Sequence, residues 1–246
     1  MQSLSICLLT LTTLLPAAAP EEPNKQPGRV EVLLVTGVDY PGHHWKETGP
    51  AMRNVLEKDK RLEVRIVEDA EFLSSPAIFD YDVIIVHFKN YQPYVRDQQV
   101  RENLAKFVKQ GKGLVLIHLA CGAFENWPEF ANLAGKTYDH SKAHDPRRPF
   151  TVKIVQPQHP AVRGMHDFQA DDELYFCVVG DRPVDVLATA HSTVTHHDEP
   201  MAFAFEYGKG RVFHTPLGHD VRAIEMPGVA ELLRRGCLWA AGRNAP

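Results

Sequence analysis

Gly113-Leu114-Val115-Leu116-Ile117-His118 is an unbroken apolar run that stops on a histidine, and the chain repeats this arrangement. Val30-Glu31-Val32-Leu33-Leu34-Val35, Tyr81-Asp82-Val83-Ile84-Ile85-Val86 and Gly210-Arg211-Val212-Phe213-His214-Thr215 are runs of the same kind, and His43, His87 and His219 lie beyond their ends. Short apolar runs without a polar face read as strands buried on both sides, the habit of parallel sheets. In an open α/β sheet the ligand crevice lies outside the carboxyl ends of the strands. Residues distant in sequence are therefore predicted to meet on one rim. Imidazoles on that rim suggest metal binding or proton transfer.

The segments between the runs support an α/β order. A helix is predicted from about Thr48 through Leu56, and Leu62 to Val67 alternates apolar with charged residues as an edge strand does. Phe72 to Asp80 reads as a connection, with Ser74-Ser75-Pro76 as its turn signal. Asp97 to Gln110 has helical spacing and is closed by Gly111. Phe124 to Leu133 reads as a further helix, Thr151 to Val155 and Val184 to Thr189 as strands, and Met201 to Tyr207 with Gly210 to Thr215 as a hairpin. The last helix runs from about Gly228 through Ala241. One α/β domain over residues 29–243 is expected, with parallel strands first and antiparallel additions later.

Composition narrows the function classes. The chain has 246 residues, 44% hydrophobic and 24% charged, which suits a globular domain with a sizeable core. A net charge of −4 provides neither a basic field for nucleic acid nor a polybasic membrane patch. Leu4 to Leu15 is apolar but too short to span a bilayer, and Pro16-Ala17-Ala18-Ala19 follows it. Residues 1–19 therefore read as a secretory signal peptide, although Met1-Gln2-Ser3 carries no Lys or Arg. The expected location is periplasmic or secreted, with residues 20–28 a Pro-rich flexible leader. Removing the signal leaves Cys121, Cys177 and Cys237, an odd count without a disulfide framework.

Each candidate motif has a bland reading beside the chemical one. Gly37 to Lys46 holds His43, with Trp45 as a platform for an apolar face, or else is a polar surface loop. His118-Leu119-Ala120-Cys121 invites comparison with a nucleophile elbow, but Cys121 lies beyond the sharp turn, and a buried inert thiol fits as well. Tyr138 to Asp145 carries His140 and His144, either of which could reach the rim or face solvent. Asp171-Asp172-Glu173 could supply a carboxylate ligand or base, or merely solvate a turn. In Gly218-His219-Asp220 the Asp could orient the imidazole. His87 stands between rim and core, and His191, His196 and His197 between solvent and nothing more. No phosphate loop, complete dinucleotide fingerprint or Cys-x-x-Cys pattern is present, so no nucleotide cofactor is expected.

Several ordered motifs resemble the ThuA-like (trehalose utilisation) family. They are Val35-Thr36-Gly37 with His43-His44-Trp45-Lys46, Gly113 to His118 with Phe124 to Phe130, His159-Pro160, Asp172-Glu173-Leu174-Tyr175, Tyr207 to His219, and Leu238 to Gly242. The resemblance spans about Val30 to Arg243. It implies a flavodoxin-like α/β sandwich similar to class I glutamine amidotransferases, and a role in carbohydrate catabolism on keto-sugars or disaccharides. The family's motif positions fall on His43, His118, His140, Glu173 and His219. The amidotransferase nucleophile position does not fall on Cys121, so glutaminase chemistry is not expected.

The resulting expectation is an exported sugar enzyme, a hydrolase, lyase or isomerase. His118, Glu173 and His219 are its catalytic residues. Trp45, Tyr138, Tyr175 and Asp220 bind the substrate, and His43, His118, His140 and His219 are candidate ligands for a divalent ion, zinc or manganese. The partner is a small-molecule carbohydrate. The rival from another class is a non-catalytic sugar-binding protein with the same rim.

Overall fold

The computed structural model describes residues 28–89 and 97–243. The expected signal peptide, and the leader up to residue 27, lie outside the described residues. In chain order the elements are β1 (Val30–Val35), α1 (Trp45–Leu56), β2 (Leu62–Val67), β3 (Val83–Val86), α2 (Asp97–Lys109), β4 (Gly113–Ile117), α3 (Pro128–Ala134), β5 (Thr137–Tyr138), β6 (Arg148–Ile154), β7 (Phe168–Asp172), β8 (Val178–Val179), β9 (Asp185–His191), β10 (Asp198–Tyr207), β11 (Gly210–Thr215), α4 (Val221–Glu225) and α5 (Pro227–Ala240).

Nine strands form one sheet in the order β2-β1-β3-β4-β11-β10-β9-β6-β7. From β2 to β11 every pairing is parallel, and from β11 to β7 every pairing is antiparallel. β5 and β8 make a separate two-stranded ribbon. This is the expected α/β sandwich, parallel in its first half and antiparallel in its second.

The apolar runs are continuous because both faces are covered. Val32 and Leu34 face a layer made with α1, α4 and α5, whereas Leu33 and Val35 face α2 and the residues before β3. Side chains alternate along a strand, so each run serves two cores. β2 has only one sheet neighbour, and its Arg65 is exposed. Helix α5 lies close on β11 because Gly236 has no side chain: a Cβ there would stand 2.4 Å from the Phe213 ring.

Helix starts differ from expectation for reasons of proline chemistry. α3 begins at Pro128 rather than Phe124, because a proline fits the first helical position, where its missing N–H is not needed. α1 begins at Trp45, a turn before Thr48, and carries Pro50 inside it. The connection before β3 contains two short 3-10 turns, Ala70–Ser74 and Pro76–Asp80, each entered through a side-chain cap, from Asp69 and Ser75. β5, β7 and α4 are short and lack an apolar run, and periodicity does not announce them; of the apolar stretch Leu174–Val179 only the last two residues pair, as β8.

Asp145 pins the antiparallel half together. It is fully buried and accepts from Ser192 Oγ, from the backbone N–H and Oγ1 of Thr193 at 2.7 Å each, and from Arg148 at 3.0 Å. Burial alone would raise its carboxyl, but these donors hold it well below the usual carboxylate range. A depressed folded value gives stability that is present above the unfolded pKa of about 3.9 and lost as pH falls below it. Asp145→Asn is expected to cost about 2–3 kcal/mol in urea unfolding at pH 7, with the difference from wild type shrinking below about pH 4. A difference that is flat with pH would rule out this ionised role.

Candidate functional site

The parallel strands β1, β4 and β11 end at one rim, and the loops after them carry His43, His118 and His219. Glu173 arrives from the other half of the sheet. Four successive antiparallel pairings turn the chain direction back, so β7 runs in the sense of β11 and ends at the same rim. Glu173 is the next residue after β7.

His118 occupies the sharpest point of the rim. It follows β4 directly with φ +52°, a left-handed backbone that non-glycine residues rarely adopt. A 3-10 turn, His118–Gly122, continues from it. The imidazole is fully buried, with Nδ1 2.7 Å from the carbonyl of Pro216. A carbonyl only accepts, so Nδ1 carries the hydrogen and Nε2 presents a lone pair. Around that Nε2 stand the Tyr175 hydroxyl at 2.9 Å, His43 Nε2 at 3.0 Å, His219 Nδ1 at 3.2 Å and Glu173 Oε2 at 3.7 Å.

His43 repeats the pattern. Its Nδ1 lies 3.0 Å from the Pro41 carbonyl, which directs its Nε2 lone pair inward. His219 Nδ1 is 3.3 Å from Glu173 Oε2. Among the described residues His43, His118, Glu173 and His219 form a group whose ligand atoms all lie within 4.8 Å of one another.

Burial sets the protonation of the group. It holds His118 well below the ordinary imidazole value and brings His219 down to about 4. His43 is lowered too, by burial first and with a contribution from the Lys89 ammonium. The Glu173 carboxyl is pushed up by burial. All three imidazoles are thus neutral near pH 7, the form that ligates metals or accepts protons.

Asp172 fixes two members at once. Its buried carboxyl accepts the backbone N–H of Gly218 at 2.7 Å, of Glu173 at 2.8 Å and of His219 at 3.4 Å. Burial pushes the group up to about 7, against the three donors that favour its anion. Gly218 has φ +111° and turns the chain between β11 and His219.

A cavity of about 230 Å³ opens over the cluster, lined by His43, Glu173 and His219 with Lys89, Tyr138, His144 and Tyr175. Nothing in the sequence singled out Lys89; its one signal is a position two residues past His87 at a strand end. It is 3% exposed, pairs with Glu125 at 2.9 Å and lies 3.8 Å over the Tyr138 ring. A Cβ on Gly122 would stand 2.8 Å from its Cε, so the glycine opens its path. His144, left open in the sequence, does reach the cavity, with Nε2 3.9 Å from Glu173 Oε1.

Three expected site residues stand elsewhere. His140 does not join the cluster: it is 63% exposed and pairs with Glu125 at 3.1 Å, because the turn after β5 carries it outward. Trp45 lies outside the cavity lining, its Nε1 donating to Asp39 at 2.7 Å. Asp220 caps α4 through the Ala223 N–H and accepts from Arg147, so its carboxylate is committed away from the His219 ring. Tyr138 and Tyr175 do line the cavity. Cys121 is buried, and burial raises its thiol far out of the nucleophilic range. His87 is a core residue, with Nδ1 unpartnered and burial taking it down to about 4. A larger cavity of about 520 Å³, lined by Arg182, Asp185, Arg211 and Trp239 among others, lies where β9 and β11 begin. It gathers no comparable cluster and sits at the pole opposite the rim.

Comparison with known proteins follows this geometry. The family model described as ThuA, trehalose utilisation, matches residues 31–240. A ThuA-like protein of Parabacteroides merdae has a similar crystal structure, with TM-score 0.78 and 24% identity over 89% of this chain and 92% of that one. One from Bacteroides uniformis gives TM-score 0.71 and 19% identity over 92% of this chain and 97% of that one. A β-galactosidase of Bacillus circulans matches at TM-score 0.55 and 14% identity, covering 86% of this chain but 30% of that one, which is a likeness of fold. No curated protein matches the chain.

Asp172→Ala removes the acceptor of three backbone N–H groups beneath the site. It is expected to cost about 2–4 kcal/mol in urea unfolding. A cost within about 0.5 kcal/mol, the range of ordinary surface changes, would show that the loop holds itself.

Proposed function

The chain belongs to the ThuA family of trehalose utilisation, and from that membership we propose that it is an exported enzyme acting on a sugar or keto-sugar at the imidazole–carboxylate centre. Its role is carbohydrate-related. One observation carries the catalytic part: His43, His219 and Glu173 line a single small cavity at the carboxyl ends of the strands, with the buried His118 ring in contact with all three.

The site suits sugar chemistry in size and in kind. A cavity of about 230 Å³ is below the roughly 300–1,000 Å³ that holds drug-sized ligands, which favours one sugar ring inside it. Tyr138 offers an aromatic wall, Lys89 can donate to a hydroxyl group, and His144 can donate or accept. With no ion at the centre, neutral His219, 3.3 Å from Glu173, is positioned to take a proton from a carbon next to a carbonyl or from a hydroxyl. Glu173, with its carboxyl raised, is the partner that holds or returns it. Export rests on the sequence pattern of residues 1–19. The net charge of −4 argues for a small neutral partner over nucleic acid, and no helix among the described residues is long and apolar enough to cross a membrane.

The test is incubation of the mature protein with trehalose, glucose and their keto derivatives, with products followed by NMR. Turnover of at least one of them is expected. His219→Ala and Glu173→Gln should each lower kcat/KM by about 10²–10⁴ with unchanged circular dichroism. Saturable binding without product on long incubation would make it a sugar-binding protein instead. Full activity in both variants would remove the centre from the reaction.

A further inference from the structure

We infer that the cluster is a divalent transition-metal centre, with His43 Nε2, His118 Nε2, His219 Nδ1 and one Glu173 carboxylate oxygen as its ligands. The inference concerns the site of the proposed function and rests on that reading only for what the ion would do in a reaction. Its physical basis is separate.

The first support is the direction of the lone pairs. His43 and His118 both spend their Nδ1–H on backbone carbonyls, Pro41 and Pro216. Their Nε2 atoms therefore face each other as two acceptors 3.0 Å apart, with no hydrogen between them. The Tyr175 hydroxyl can donate to His118, but it does not relieve the contact with His43. A fully buried acceptor held against a half-buried one is unfavourable unless a cation sits at their focus.

The second support is spacing. Ligands on a tetrahedral ion with bonds of about 2.0–2.1 Å stand roughly 3.3–3.4 Å from each other. The separations here are 3.0 Å for His43–His118, 3.2 Å for His118–His219, 3.3 Å for His219–Glu173 and 3.7 Å for His118–Glu173. These four of the six separations straddle that value and all six lie within 4.8 Å, so the group must close by up to about 1.4 Å on its wider side to receive an ion.

The third support is the surrounding shell. Metal-bound histidines usually donate their second ring N–H to a carbonyl or carboxylate, which fixes tautomer and orientation. His43 and His118 are already fixed in this way. Asp172 does the same job for His219 and Glu173 through their backbone.

Three nitrogens and one carboxylate oxygen select zinc, or manganese as second choice, over magnesium or calcium, which prefer all-oxygen shells. The ion would carry charge +2 against one carboxylate, and the cavity opens on the face where a sugar oxygen would arrive. There it would act as a Lewis acid on a carbonyl or hydroxyl oxygen.

The ligand set differs from the four histidines expected from the sequence, because His140 is left out and Glu173 takes its place. Full-length mature protein, free of tag histidines and treated with a chelator, is titrated with zinc chloride and separately with manganese chloride by calorimetry. One ion per chain and a raised Tm are expected. His43→Ala, in an exposed loop that the core does not need, and Glu173→Gln should each weaken binding at least tenfold, as should His219→Ala. His140→Ala should bind as wild type does. Absence of binding by either ion would overturn the inference, as would unchanged affinity in His43→Ala and Glu173→Gln, or a loss in His140→Ala equal to theirs. Metal binding without sugar turnover would sink the enzyme proposal and leave the metal centre standing. Sugar turnover by protein that binds neither ion would do the reverse.

Discussion

The left-handed backbone at His118 is the constraint on which the site depends. A non-glycine residue in that region costs roughly 1–2 kcal/mol. It persists because β4 lies in the middle of the parallel half, paired with β3 on one side and β11 on the other and buried on both faces. The strand end cannot relax without disturbing two neighbours. The Pro216 carbonyl, from the loop after β11, then fixes the ring. Strain of this kind is best read from the observed outlier to a role, and here the outlier carries the atom around which Tyr175, His43, His219 and Glu173 gather.

A second constraint comes from the change of sense in the sheet. A purely parallel continuation would have needed a long crossover to bring a fourth strand end to the rim. The antiparallel half has no crossover helix between β6 and β11, and its last strand in the sheet delivers Asp172 and Glu173 beside the β11 loop. Charged pairs lock this delivery: Arg147 bonds Asp171 and Asp220, and Arg222 bonds Asp171, tying β7 to the start of α4. Asp220 is thus a joint between the halves. On the other wall, Lys89 and Glu125 form a pair in which the lysine is almost fully buried, and that pair stiffens the cavity side facing the imidazoles.

The parts legible in the sequence are those with a local cause. Doubly buried strands must be apolar throughout, so β1, β3, β4 and β11 stood out, and with them His43, His118 and His219 at their ends. β7, Phe168–Asp172, is an edge strand with little apolar content, so the local pattern shows Glu173 only as one of three consecutive acids, and the family resemblance is what singles it out. Choosing between His140 and His144 depends on the two-residue ribbon β5–β8 and on the bridge between His144 and Tyr175, contacts that link segments about thirty residues or more apart. No periodicity encodes these. For Trp45 and Asp220 the difficulty is related: an aromatic or an acid beside a site histidine looks like a site residue in the sequence, yet in the fold each is bonded to another partner, Asp39 and Arg147. Lys89 follows an apolar stretch and is buried by residues that arrive much later, Glu125 and Tyr138.

The site also separates fold from chemistry. A strand followed by a sharp left-handed turn is a place where other folds of this architecture can present a nucleophile. Here that place holds an imidazole whose Nδ1–H is already committed to a carbonyl, so it can offer a lone pair but cannot form a stable acyl intermediate as a thiolate would. The nearest thiol, Cys121, lies three residues on, inside the core, where burial keeps it protonated. The same backbone device thus presents a ligand or a base in place of an attacking group. What the three imidazoles and Glu173 share is a common focus. Three nitrogens and an oxygen aimed at one point, with two of the nitrogens barred from holding a proton between them, are arranged for something placed among them.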